Sequence, residues 1–331
     1  MNALAQKDSD TGVSHGCCEA HGRDACATIT APVWGAKERA FIRQILSPSD
    51  AKREQPGRRE LARQRAELAR RELANCRFCA HDCQVDRSQA AAGMCHAGPE
   101  PCLHSAQIDM ADELELVPVY AIALSGCDMR CAYCITGAQS WNARAGVAMS
   151  AVELAGRAQR ALDDGARTVM ILGGEPTIHL PYVLDVVAEL PETARLAFKT
   201  NAHASASGRA LLHGMFDLWC VDYKFGNDAC AERVAQVPNY SRVVRENLVW
   251  AAGQGDLIVR HLLMPEHVEC CWRPVAEWLA AEVPGVKVGL RTGFWPAWQS
   301  RRHAELRRTV TPAEIQQAQA IANEYALRLI E

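Results

Sequence analysis

Apolar positions follow two different periods along this chain. Six short, nearly continuous apolar runs (Val117 to Leu124, Thr168 to Leu172, Arg195 to Thr200, Leu218 to Tyr223, Leu257 to Met264, Val286 to Arg291) read as buried strands. A strand covered on both faces is apolar throughout and does not alternate. Between most of them apolar residues recur at helical spacing: Ala151 to Asp163, Pro181 to Leu190, Ser241 to Ala252 and Trp272 to Glu282. Such alternation predicts parallel pairing through right-handed crossovers, an α/β fold. Six units are too few for a closed eight-stranded barrel, which leaves an open three-quarter barrel or a doubly wound sheet.

Polar residues at the strand ends choose between these. The first strand is followed by Gly126-Cys127, the second by Gly173-Gly174-Glu175-Pro176, and the third closes on Lys199-Thr200-Asn201. The fourth brings Asp222 and Lys224, the fifth Arg260 and His261, the sixth Arg291-Thr292-Gly293. In a parallel barrel those ends meet on one rim, where such folds build their sites. Taken one at a time, Glu175 reads equally as a helix cap, Asp222 as a turn residue and Arg260 as half of an ion pair. Together they read as a pocket for a charged small molecule.

Upstream the pattern changes. Arg58 to Ala74 reads as a helix whose Glu60, Glu67 and Glu72 make its arginines a solvated, ion-paired face and not a nucleic-acid footprint. Residues 1–35, with Cys17, Cys18 and Cys26 at irregular spacing, read as a disordered tail. Thr311-Pro-Ala-Glu starts a C-terminal helix with a capping residue and a first-turn proline. The expected division is a tail (1–35), a helical segment (36–75), a cysteine-rich segment (76–114), a core barrel (115–295) and a C-terminal loop and helix (296–331).

Composition narrows the classes. A net charge of -3 speaks against a strong electrostatic nucleic-acid binder. No apolar run reaches the ~18 residues of a membrane span, and the N-terminus lacks a signal-peptide layout, so the chain is expected in the cytoplasm. Fifteen cysteines in a reducing compartment point to metal or cluster ligation.

Two groups of cysteines stand out. Cys127, Cys131 and Cys134 form CxxxCxxC, three thiolates where a cubane iron-sulfur cluster has four corners, so one iron would stay open to a ligand from solution. A zinc knuckle with a distant fourth ligand is the plainer alternative. Cys76, Cys79, Cys83 and Cys95 form a second group, with Cys102 to spare, and a tetrathiolate of this kind suits either an iron-sulfur cluster or zinc. Cys220, Cys230, Cys270 and Cys271 read as small core or surface groups. Trp295 and Trp298 read as core or lid packing, and the basic run Arg301 to Arg308 as a solvated loop.

CxxxCxxC after the first strand, with Tyr133 before its third cysteine and Gly173-Gly174-Glu175-Pro176 after the second, resembles the radical S-adenosylmethionine (SAM) enzymes. The upstream CxxCxxxC, the Asp222-Tyr-Lys-Phe-Gly run and the Val259-Arg-His-Leu-Leu-Met-Pro run are most similar to uncharacterised relatives of pyruvate formate-lyase activating enzyme. The resemblance implies a partial (β/α)6 TIM-like barrel with an N-terminal cysteine-rich extension. It also implies a [4Fe-4S] cluster on Cys127, Cys131 and Cys134 whose open iron takes the amino and carboxylate groups of SAM. Reductive cleavage of SAM to a 5'-deoxyadenosyl radical, which abstracts hydrogen from a substrate, is the implied activity. Glu175, with Gly173 and Gly174, is implied at the methionine amino group, Thr200 and Asn201 at the ribose or carboxylate, and Tyr133 near adenine. Lys224 and Arg260 are suited to the methionine carboxylate or an anionic substrate, with Asp222 beside them. A flavodoxin or ferredoxin would supply the electron, and docking of such an acidic donor is the alternative reading of the basic run.

Two positions depart from the relatives. Lys199 stands where an acidic residue helps hold a monovalent cation, so its ammonium, paired with Asp222, is expected to replace that cation. Ile135-Thr136 stands where Gln-Asn is common. The expectation is therefore an enzyme acting on a small molecule or peptide, with the Cys76 to Cys95 site as an auxiliary centre. The alternatives are an activating enzyme that installs a glycyl radical on a partner, and a non-catalytic iron-sulfur or zinc module, which would need neither the GGEP stretch nor the polar rim.

Overall fold

The computed structural model describes residues 56–110 and 113–330. The expected tail at 1–35 and the start of the 36–75 segment lie outside the described residues. In chain order the elements are α1 (Arg58–Glu72), β1 (Leu103–Asp109), β2 (Val119–Leu124), α2 (Ala138–Trp141), α3 (Ala151–Asp163), β3 (Thr168–Gly173) and α4 (Leu180–Glu189). Then come β4 (Leu196–Thr200), α5 (Ala206–Leu212), β5 (Leu218–Asp222), α6 (Asp228–Ala235), α7 (Tyr240–Ala252), β6 (Asp256–Leu262), α8 (Arg273–Glu282), β7 (Lys287–Arg291), α9 (Pro312–Glu324) and β8 (Arg328–Leu329).

All eight strands join one sheet in sequential order from β1 to β8. Strands β2 to β7 pair in parallel, each with its next neighbour in sequence, with helices in the connections. A doubly wound sheet would reverse its strand order at a switch point. This one never reverses, so the fold is the α/β partial (β/α)6 barrel.

The strands form where apolar runs are buried on both faces: every residue of β2 is buried, as are the first four of β3 and of β5. Strand β1 was not expected. It pairs antiparallel to β2 at the sheet edge, and only Leu103 of Leu-His-Ser-Ala-Gln-Ile-Asp is buried, so it carries no apolar signal. Strand β8 is a two-residue parallel addition beyond β7.

Helix α1 lies against α4, with Ala62, Ala66 and Ala69 almost wholly buried. Small residues let the two backbones approach. The expected ion-paired face is present in Arg63 with Glu60 at 3.7 Å and Arg70 with Glu67 at 2.6 Å, but some arginines also reach the barrel. Arg65 is fully buried and donates to the Leu211 carbonyl at 3.2 Å and to the His213 carbonyl, while burial lowers it to about 10. Arg70 grips both oxygens of Asp185 at 2.6 Å. These guanidiniums fasten the helix to the barrel. The C-terminal helix α9 starts with the expected cap, which is a full capping box, Thr311 accepting from the Glu314 amide and the Glu314 carboxylate accepting from the Thr311 amide.

Candidate active site

The ends of β2 to β7 converge on one cavity of about 650 Å³. Cys127, Cys131 and Cys134 all line it, on the loop between β2 and α2. The loop is pinned by Arg130, which donates to the Cys127 and Met129 carbonyls at 2.6 and 3.0 Å, reaches the Met94 carbonyl, and lies 5.5 Å over the Trp141 ring. Burial pushes the Cys131 thiol up to about 12 and the Cys127 thiol well above its ordinary value. Thiolates here therefore call for a compensating cation, and three sulfurs on one cavity wall suit a metal cluster with an open corner. Thr136, in place of the common Asn, sets its hydroxyl 3.2 Å from the Cys134 sulfur, and Ile135 is exposed.

The Gly173-Gly174 pair is a consequence of close packing. The Gly174 amide donates to the Leu124 carbonyl at 2.8 Å and the Glu175 amide to the Gly126 carbonyl at 2.9 Å. A Cβ on Gly174 would sit 1.8 Å from the Gly126 oxygen, and one on Gly173, whose φ is +141°, 2.1 Å from the Leu124 oxygen. Only glycine lets β3 close over the start of the cysteine loop.

Glu175 is buried and its carboxylate accepts four bonds. Oε1 takes the Thr177 amide (3.0 Å), the Thr177 hydroxyl (2.6 Å) and the Thr200 hydroxyl (2.8 Å), and Oε2 takes the Asn201 amide (2.7 Å). Burial, then Asp128, pushes it up to about 7. Thr200 and Asn201 line the cavity, yet they also serve as this carboxylate's scaffold.

Sequence reasoning missed a neighbouring triad. Asp128, inside CxxxCxxC and fully buried, accepts from the Asn201 amide nitrogen at 2.8 Å and pairs with His203 Nδ1 at 2.7 Å. Burial works to raise it and is outweighed by His203, then His81, so it stays below the ordinary carboxylate range. The signal available was position alone, a carboxylate between two ligand-type cysteines.

The opposite wall is charged. Asp222 Oδ2 is 2.6 Å from Lys224 Nζ and its Oδ1 3.7 Å from Arg260. Burial works to raise Asp222 and is overcome by Lys224, then Arg260 and Lys199. Glu113, absent from the expected site, is buried behind and holds Arg260 at 3.2 Å and also Arg291. Tyr133 lies at 6.3 Å from Phe225 and 5.9 Å from Phe294, centroid to centroid. Trp295, expected as packing, lines the cavity and is exposed, while Trp298 packs edge-on to Trp141 at 5.7 Å.

The upstream cysteines meet the barrel beneath this loop. Cys79 has its sulfur within 4.8 Å of ligand atoms of Asp128 and His203, and burial, then Asp128, raises its thiol. Arg87 donates to the Cys76 sulfur at 3.2 Å and to the Ile178 carbonyl at 2.8 Å. Cys95 is buried, Cys83 half-buried, and Cys102 lends its carbonyl to the Ser125 amide at 2.8 Å. None of the described cysteines is in a disulfide.

With this geometry in view, residues 122–279 match the family described as the Radical SAM superfamily. Over 276 residues, covering 80% of this chain and 79% of the relative, the chain is 27% identical to "Uncharacterized protein MJ0674" of Methanocaldococcus jannaschii. Among solved structures it is similar to SuiB of Streptococcus suis bound to the precursor peptide SuiA, at TM-score 0.47 and 14% identity, covering 62% of this chain and 46% of that one. It is also similar to a domain of pyruvate-formate lyase-activating enzyme from Bacteroides vulgatus, at TM-score 0.40 and 19% identity, covering 49% of this chain and 96% of that domain. The chain thus spans just under half the length of SuiB.

Proposed function

Because this chain carries a radical SAM domain, an enzyme module that works with a [4Fe-4S] cluster, SAM and a reductant, we propose that it acts on a small-molecule or peptide substrate bearing an anionic group. When bound, the cluster and SAM supply homolytic cleavage to methionine and a 5'-deoxyadenosyl radical that takes hydrogen from the substrate. Cys127, Cys131 and Cys134 would hold that cluster, and Cys76, Cys79, Cys83 and Cys95 a second iron-sulfur or zinc centre.

The observation that carries the reading is the charge of the cavity lining. Lys199, Lys224, Arg260 and Arg291 face it against two carboxylates, Asp222 and Glu175, within a volume suited to small ligands, about 300–1,000 Å³. Lys224, held by Asp222, orients a carboxylate without moving, and Glu113 does the same for Arg260 and Arg291. Glu175 Oε2, which accepts a single protein bond, keeps a lone pair for an amino group. Tyr133, backed by the buried Phe225 and Phe294, offers an apolar shelf for adenine, and Trp295 shields the mouth from water.

A flavodoxin or ferredoxin would deliver the electron, with exposed Arg301 and Arg302 as basic docking groups. Among the described residues no helix is long and apolar enough to cross a membrane. The cytoplasm, with its reducing thiol pool, would keep the cysteines available as ligands.

The test is anaerobic incubation of reconstituted, reduced protein with SAM. Wild type should form 5'-deoxyadenosine and Cys131→Ala should not, and anionic substrate candidates should raise the rate. Absence of 5'-deoxyadenosine under a strong reductant refutes the reading, and incorporation of the radical into a partner polypeptide glycine would replace it with the activating role.

A further inference from the structure

In the first turn of α6, which follows β5, and in the segment that leaves β6, four side chains that the cavity does not use come together. Cys230, His267, Cys270 and Cys271 have ligand atoms all within 4.8 Å of one another. We propose that this three-cysteine, one-histidine cluster binds a single zinc-type divalent cation that pins the start of α6 to the segment after β6.

The spacing is that of donors around one ion. With zinc–sulfur bonds of about 2.3 Å at tetrahedral angles, two sulfurs on one ion stand about 3.8 Å apart. The sulfurs of Cys230 and Cys270 are 3.9 Å apart, as are those of Cys270 and Cys271. A disulfide needs about 2.05 Å. A cubane cluster puts each thiolate on a different iron and needs the sulfurs farther apart. Three thiolates and one imidazole are a known closed donor set for structural zinc.

The surroundings are built for the same purpose. His267 Nδ1 lies 2.7 Å from the Pro265 carbonyl, so this nitrogen carries the proton and Nε2 keeps its lone pair. Metal-binding histidines are oriented by their second nitrogen in this way. Arg233 donates to that lone pair at 3.2 Å and is paired with Glu305, so an ion at Nε2 displaces this bond and leaves the guanidinium beside the thiolates. Asn227 accepts from the Cys230 amide at 2.8 Å and donates to the Cys270 carbonyl at 2.7 Å and to the Cys230 sulfur at 3.4 Å.

Cys271 lies in a π-helical turn, Val268–Trp272, a distortion found most often at functional positions. Opposite it a Cβ on Gly226 would stand 2.4 Å from the Cys271 oxygen, so glycine is what allows the two loops to touch. Strand β5 ends on Asp222, the segment after it carries Lys224, and β6 carries Arg260. An ion here braces two walls of the cavity, and any thiol proton still held is released to solvent on binding.

The test reads metal and not activity. Wild type, Cys230→Ser and Cys270→Ser are purified without chelator, and zinc and iron are counted by mass spectrometry. Cys270 is exposed, so its serine variant keeps the packed core. Wild type should carry one more zinc per chain than either variant, with iron equal in all three. Titration of the metal-depleted wild type with cobalt(II) should give one extra equivalent of thiolate-to-metal absorption that both variants lack, while Cys102→Ser keeps it. Equal zinc and cobalt counts in wild type and variants overturn the proposal. So does a Cys230–Cys270 disulfide in protein made and kept under reductant.

Discussion

Replacing Gly174 by alanine tests the link between strand packing and chemistry directly. The new Cβ would meet the Gly126 oxygen at 1.8 Å, the Gly126 carbon at 2.5 Å and the Cys127 nitrogen at 3.2 Å, all of them backbone atoms, whereas ordinary contact begins near 3.4 Å. The ends of β2 and β3 must therefore part by roughly 1.5 Å, which takes both cross-strand bonds, 2.8 and 2.9 Å, beyond hydrogen-bonding distance. Each broken bond leaves a backbone amide and a carbonyl without partners and costs about 1–3 kcal/mol, so the variant should lose roughly 4 kcal/mol, a large part of a typical total of about 5–15 kcal/mol. The same displacement separates Cys127 from Glu175, and an error of about 1 Å at reacting groups costs about 100-fold in rate. Urea unfolding at matched iron content and the rate of 5'-deoxyadenosine formation measure the two effects. Gly293→Ala is the control, since it also lines the cavity but its added Cβ meets nothing within 4 Å. Wild-type stability and rate in Gly174→Ala would refute the packing argument.

Glu175 predicts a pH effect of known sign. Its folded value, about 7, is raised above the ordinary 4.5, so its contribution to stability is complete below 4.5 and is lost as pH rises through 7. Between pH 4.5 and 8 wild type should lose about 3 kcal/mol relative to Glu175→Gln, and a pH-independent difference between the two in urea unfolding would contradict the burial argument. Lys199, whose charge helps hold Asp222 down, should make activity indifferent to monovalent cations. Wild-type turnover should not rise when sodium or potassium replaces a bulky organic cation, and Lys199→Ala should acquire such a dependence.

The parallel strands and the polar groups at their ends were readable because burial on both faces leaves an unbroken apolar run that stops where the chain reaches the rim. Val119–Leu124 and Leu218–Asp222 differ from their expected limits by one or two residues for that reason. Strand β1 had no such signal, since its edge position leaves most of its side chains half-exposed. Asp128 and His203 went unread because they act on each other across two loops, and neither belongs to a periodic pattern. Cys230, Cys270 and Cys271 were taken for ordinary core or surface groups, and His267 went unread, because a whole helix and strand separate the first from the rest, and only the fold makes them neighbours. Arg260 and Arg291 were legible as cations, but their shared partner Glu113 was not, because it lies outside every regular element.

The threads that cross between the barrel and its flanks bear on where this protein is divisible. Ala80 donates to the His203 carbonyl, Ser205 to that of Phe78, and Arg87 to that of Ile178, while Trp272 reaches the Ala318 carbonyl and Ile330 the Val288 carbonyl. The stretch recognised by family likeness, 122–279, therefore exposes its own buried carbonyls and amides wherever it is cut away from the rest. Kinship and autonomy have different borders here. A fragment trimmed to the matched part would keep Cys127, Cys131 and Cys134 and lose the neighbours that hold them still.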